Sequence, residues 1–142
     1  VYKRQVLLYY FTSTKKRGDT MAWNLNSDRP IFIQIVERIE MDIISGKYKP
    51  GDKLPSVRDL AAEAAVNPNT MQKAFTELER TGLVFSQRTT GRFITEDTSM
   101  IDELKSTLAK DKITELLSFM QQLGFQENEI LTMIGQTMKG EK

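Results

Sequence analysis

The chain has neither cysteine nor histidine among its 142 residues. Without cysteine there is no disulfide framework, no thiolate zinc site and no thiol nucleophile. Without histidine there is no imidazole to act as general base near neutral pH or as a transition-metal ligand. No glycine-rich phosphate loop appears, and no paired carboxylates are spaced for acid–base chemistry. These gaps point away from an enzyme, a metal site and a bound cofactor. The apolar stretch within residues 1–20 is too short to span a bilayer, and no small-residue cleavage pattern follows it cleanly. A cytoplasmic protein without a membrane partner is expected.

Net charge is also small, +1 over the whole chain. Its distribution is more informative. Residues 47–95 carry eight Lys/Arg against five Asp/Glu, whereas residues 96–142 carry five against nine. A mildly basic middle beside an acidic end fits one module that meets phosphate and another that does not. Residues 1–20 hold five Lys/Arg against one acid and show no regular pattern. Met21 opens a more regular segment, so residues 1–20 are read as a non-native or disordered extension. A basic arm on DNA is the alternative for them.

Helical signals dominate. Asp28 is expected to cap a first helix, with Pro30 in its first turn, where a missing N–H costs nothing. Ile31, Ile35, Ile39 and Ile43, with Phe32, Val36 and Ile44, form its apolar stripe, and Gly46 ends it. Tyr48-Lys49-Pro50-Gly51-Asp52 reads as a turn. A second helix follows Pro55, with Ser56 and Asp59 as a short-armed relative of the capping box. Asn67-Pro68 then caps and starts a third helix that runs to about Thr81, before Gly82. Leu83–Arg88 and Arg92–Thr95 read as two strands joined by a turn at Thr89-Thr90-Gly91.

From Ser99 the helical period returns. Ile101, Leu104, Leu108, Ile113, Leu116, Leu117, Met120 and Leu123 are read as one apolar face. Gly124-Phe125 breaks it, and Ile130, Leu131, Ile134 and Met138 trace a last short helix. The fold class is therefore mainly α. An N-terminal winged helix-turn-helix over residues 21–96 has three helices and a two-stranded wing. A two-helix dimerisation segment over residues 97–142 follows. Two helices with one apolar face each bury little alone and need a second copy or the first module. The dimer residues expected are Leu104, Leu108, Ile113, Leu116, Leu117, Met120, Leu123, Ile130 and Ile134. Met100, Met120, Met133 and Met138 read as interface filler and not as a metal site.

Two helices joined by a short turn, the second with a polar start, make the geometry of a DNA reader. The polar start is Asn67-Pro68-Asn69-Thr70-Met71-Gln72-Lys73. Asn and Gln can pair with adenine, and Thr with bases or phosphate. Arg58, early in the preceding helix, can reach a phosphate or a guanine. Lys53 is a phosphate candidate. Arg88 and Arg92 flank the hairpin turn, where they can meet the adjacent backbone or minor groove. Gly91 would let the tip approach closely. The acids Glu77 and Glu79 come later in the helix and are expected to lie away from DNA.

Residues 30–96 resemble the DNA-binding domain of the GntR family. The resemblance is carried by Tyr48-Lys49-Pro50-Gly51-Asp52-Lys53-Leu54-Pro55-Ser56-Val57-Arg58-Asp59-Leu60-Ala61. It continues through Val66-Asn67-Pro68-Asn69-Thr70-Met71-Gln72-Lys73-Ala74, Leu78-Glu79-Arg80-Thr81-Gly82-Leu83-Val84 and Thr90-Gly91-Arg92-Phe93-Ile94. It implies that Ser56, Arg58, Asn67, Asn69, Thr70, Gln72, Lys73 and Gly91 contact double-stranded operator DNA. Pro68 stands where some members carry arginine, so base preference does not transfer. The short tail resembles the YtrA-like subfamily. That implies a homodimeric repressor on an inverted-repeat operator, of an ABC-transporter operon, with no room for a tight small-molecule effector. The competing reading is a winged helix that serves as a protein- or RNA-interaction module.

Overall fold

A computed structural model of the chain describes residues 23–140. The extension expected over residues 1–20 lies outside them. The chain divides into two compact units, one ending at Glu96 and the other starting at Asp97. The first contains α1 (Ile31–Ile44), α2 (Val57–Ala64), α3 (Pro68–Arg80), β1 (Val84–Gln87) and β2 (Gly91–Ile94). The second contains α4 (Thr98–Gln122) and α5 (Glu127–Met138). The mainly helical winged fold read from the sequence is the fold observed.

The isoleucine spacing of α1 does what its period demands, since Ile35, Ile39 and Ile43 are buried. Its start differs from the expectation. Pro30, not Asp28, occupies the N-cap, and no side chain caps the helix. The entry is held instead by Gln34, which lies among the buried residues of α1. Its Nε2 donates to the carbonyls of Asn26 (2.8 Å) and Arg29 (3.0 Å), while its Oε1 accepts from the Asn26 N–H at 3.0 Å. One amide thus replaces a cap by tying the preceding loop to the first turn.

In α2, the Ser56 hydroxyl accepts from the Asp59 N–H at 3.1 Å, the forward half of the expected box. Ser56→Ala should destabilise the first unit by about 1 kcal/mol, read as a lower thermal midpoint. An unchanged melt would show that solvent satisfies that N–H equally well. Ala65 closes α2 in the left-handed region (φ 57°), with the Val66 N–H donating back to the Ala61 carbonyl at 2.9 Å. This tight exit makes the turn of the helix-turn-helix. Asn67 then caps α3 through the Asn69 N–H at 2.8 Å, and Pro68 takes the first helical position.

The α3 helix is central. It packs against α1, α2 and β1. Met71, Ala74, Phe75 and Leu78 are buried on it, and Ile35, Ile39, Leu60, Val84 and Ile94 complete the core. The two strands are antiparallel, with Val84 opposite Ile94, Ser86 opposite Arg92 and Gln87 opposite Gly91. β1 is shorter than expected, and β2 keeps its expected length but starts one residue earlier, so Gly91 belongs to it and not to the turn. The Pro-Gly segment does more than turn. Ile94 N–H donates to Asp52 O (2.8 Å), Leu54 N–H donates to Arg92 O (2.8 Å), and Lys53 bridges Phe93. Residues 52–54 therefore run antiparallel beside β2, paired through an isolated bridge.

In the second unit, the Asp97 carboxylate caps α4 by accepting from the Ser99 and Met100 N–H groups at 3.1 and 3.3 Å. A capping box between Gln126 and Glu129 starts α5. The single apolar face expected along α4 is split in two, and none of the helix's residues is buried in the single chain. The five-residue step from Leu108 to Ile113 rotates the pattern by about 140° at 3.6 residues per turn. Ile101, Leu104 and Leu108 are half-buried on one side. Ile113, Leu116 and Leu117 are exposed around another, and Phe119 and Leu123 are exposed as well. Ile130 departs from its expected role too. It is already buried in the single chain, so it is not free to face a second copy. Ile134 and Met120 are half-buried.

Candidate nucleic-acid interface

An open groove of about 820 Å³ runs between the start of α2, the middle of α3 and the wing. Lys53, Ser56, Arg58, Gln72, Gly91 and Arg92 all line it. Six of the residues singled out from sequence, spread over forty positions of chain, are thus gathered in one place. Three elements position them. The N-terminus of α2 presents Ser56 and Arg58, α3 presents Gln72, and the paired segment beside β2 brings Lys53 up to Gly91.

Arg58 is exposed in the first turn of α2. Arg92 is different. Its guanidinium is ion-paired with Glu79 and lies 5.2 Å from the centre of the Phe75 ring, with about a quarter of the side chain exposed. Glu79 does not itself line the groove, but its ion pair ties it to Arg92, which does.

The α3 helix sorts its polar residues by angle. Asn69, Gln72 and Lys73 are exposed and share one face, and Thr76 joins them one turn on. Thr76 was not singled out from sequence, although its i, i+4 spacing from Gln72 gave the signal. Its hydroxyl donates to the Gln72 carbonyl at 3.0 Å and accepts from Gln72 Nε2 at 3.4 Å. Asn67 and Thr70 fall elsewhere, in a separate depression of about 380 Å³ beside Trp23 and Ile31. Asn67 Oδ1 is also committed to capping Asn69. The cap uses one lone pair of Oδ1 and holds the amide against the start of its own helix. Lys73 is exposed but holds its Nζ 4.1 Å from the centre of the Phe32 ring, a cation–π contact with α1. Arg88 lies exposed in the wing turn, outside the residues that line the groove.

Gly91 has a structural reason as well as the expected one. Its φ is +122°, and an added Cβ would stand 2.9 Å from Lys53 Cε. The lysine tip can move aside, but the backbone conformation still disfavours a side chain. Gly91→Ala should cost about 1–3 kcal/mol, which for a domain of this size lowers Tm by about 4–8 °C per kcal/mol. A melt identical to that of the parent chain would mean the wing relaxes without strain.

Among the described residues, no helix is long and apolar enough to cross a membrane. Residues 33–94 match the family described as bacterial regulatory proteins, gntR family. The chain is 40% identical over 105 residues to the HTH-type transcriptional regulator YhcF of Bacillus subtilis (strain 168), covering 74% of this chain and 87% of that protein. It is 41% identical over 97 residues to the HTH-type transcriptional repressor YtrA of the same organism, covering 68% and 70%. Among solved structures, a GntR family transcriptional regulator from Listeria monocytogenes superposes with a TM-score of 0.75 at 38% identity, covering 79% of this chain and 98% of that one. The family and these relatives are regulators and not enzymes. A winged reader with its groove at the head of α2 and along α3, in a chain this similar over this length, places the protein in the GntR family of transcriptional regulators, with a DNA-binding helix-turn-helix as its reader.

Proposed function

We propose that this regulator is a cytoplasmic repressor that binds an inverted-repeat operator as a homodimer. The reader spans residues 21–96, and the dimerising tail spans residues 97–142. The observation that carries the DNA half is the shared groove, which joins Arg58 on α2, Gln72 on α3 and the wing. In this reading Arg58, Gln72 and Asn69 meet base edges. Lys53, Ser56, Thr70, Lys73 and Arg88 meet phosphate or sugar, Asn67 serves chiefly as the cap, and Gly91 and Arg92 set the wing. The dimer half is supported by the exposed apolar side of α4. Leu116, Leu117 and Ile113 are between 38% and 55% exposed in the single chain, and a second copy is the simplest cover for them. The repressor assignment follows the name of the relative YtrA. Control of an ABC-transporter operon, and the absence of a tight small-molecule effector, extend the same reading.

The test is binding to duplex DNA as salt is raised. Each neutralised phosphate contributes a slope of about −0.9 to log K against log salt. A duplex-binding regulator shows a slope of several units and prefers duplex over single strands. Equal binding to RNA, or a flat salt response, would favour the interaction-module reading instead.

A further inference from the structure

Glu79 is an acid bonded to Arg92, one of the residues lining the groove that the proposed function turns toward polyanionic DNA. Simple electrostatics makes it a liability there. Its contacts describe something else. Its carboxylate receives the Arg92 guanidinium from β2 and the Ser86 hydroxyl from β1, the latter at 2.8 Å. Ser86 and Arg92 are opposite each other in the strand register, so both strands of the wing are held by one group on α3. Burial pushes the Glu79 carboxyl up, but the hydrogen bonds from Arg92 and Ser86 and the Arg92 charge outweigh it and hold the group below the usual carboxylate range.

Arg92 does not stop at Glu79. Its guanidinium lies over Phe75 and points Nη2 toward Gln72 Oε1, at the long edge of hydrogen bonding, 3.5 Å. Gln72, Phe75 and Glu79 are spaced along one side of α3, with Gln72 and Glu79 two turns apart. One guanidinium thus runs beside two turns of the helix. It is clamped at the far end by the acid and meets the exposed amide at the near end. With Arg92 3.5 Å from its oxygen and Thr76 3.4 Å from its nitrogen, the Gln72 amide is biased toward one orientation and keeps a lone pair and an N–H for a base.

We propose that Glu79 is a positioning residue for base reading: acting through Arg92, it docks the wing against α3 and sets the orientation of Gln72. This inference rests on the DNA-reading assignment of the groove. It predicts the opposite of the electrostatic expectation, because removing this acid weakens recognition.

The probes are the duplex enriched by the full wild-type chain from a random pool, and a scrambled duplex of equal length. Glu79→Gln should lose about tenfold in affinity for the enriched duplex, the scale of one hydrogen bond to a charged group. Affinity for the scrambled duplex should be unchanged or higher. Glu79→Asp keeps the charge but shortens the reach by one methylene, and it should lose selectivity in the same direction. In a Gln72→Ala background, Glu79→Gln should have little further effect, because the two act in series. Tighter binding of Glu79→Gln to both duplexes would overturn the inference, and so would a Glu79→Asp chain with wild-type selectivity. Thermal melts accompany each variant. If Glu79→Gln is unfolded at the assay temperature, Glu79→Asp decides. A wild-type chain that enriches no duplex would instead overturn the DNA-reading assignment, and the inference with it.

Discussion

Replacing Arg58 with alanine is expected to abolish selective operator binding while leaving the melting transition in place. The side chain is exposed in the first turn of α2, so truncating it removes no core contact. It borders the same groove as Gln72 and the wing, where a guanidinium can reach a guanine edge or a phosphate. A lost paired contact costs about 1–3 kcal/mol per reader, and a dimer loses it twice, so about 2–6 kcal/mol in all. The salt response tells the two roles apart. If Arg58 reads guanine, the loss is confined to the enriched duplex. If it holds phosphate, binding weakens on every sequence and the log–log salt slope shrinks by about one per reader. Gel shifts of parent and variant on matched and scrambled duplexes make the measurement. Unchanged affinity on both would remove Arg58 from the interface.

The second large effect concerns the tail. Leu116→Asp should convert the protein to monomers with weak DNA affinity. Leu116 is 44% exposed in the single chain, so an aspartate there meets water in the monomer and destabilises it little. In a two-fold interface each copy would instead have to bury that carboxylate against apolar side chains, a cost of several kcal/mol applied twice. Sedimentation or light scattering at micromolar concentration reads the outcome directly. Operator affinity should fall with it, since paired half-sites act together only when the two readers are joined. A variant that remains dimeric would move the interface off the exposed side of α4. Leu104 and Leu108, about 120° and about 80° round the helix from Leu116 at 3.6 residues per turn, would be the next residues to test.

The parts of this fold that were legible in the sequence share a cause: each is specified by residues a few positions apart. The Ser56 and Asn67 caps, the left-handed stops at Gly46 and Gly82, and the isoleucine stripe of α1 are local events. What escaped depends on distant chain. Gln34 looks like a surface residue until the Asn26–Arg29 loop folds back on it. The turn over residues 48–52 is legible because Pro50 and Gly51 dominate it, and only β2 shows the pairing of Lys53 just after it. Arg92 and Glu79 are thirteen residues apart, and no local pattern joins them. The α4 helix failed for another reason. Its apolar residues follow one another at helical spacing except at the step from Leu108 to Ile113, which does not keep a helical face. Of the site residues, those lining the groove were found by their types and order, whereas the capping duty of Asn67 and the ring contact of Lys73 became visible only in three dimensions.

The central claim is that the exposed side of α3, with Arg58 and the wing beside it, enters a groove of duplex DNA. In-vitro selection from a random duplex pool with the full chain tests it most directly. The account predicts enrichment of a two-fold symmetric sequence, with half-sites about one helical turn apart or a multiple of it. Its recovery should be lost when the selection is repeated with the Arg58→Ala chain. A pool that stays random after repeated rounds, at salt low enough to retain non-specific binding, would contradict the account.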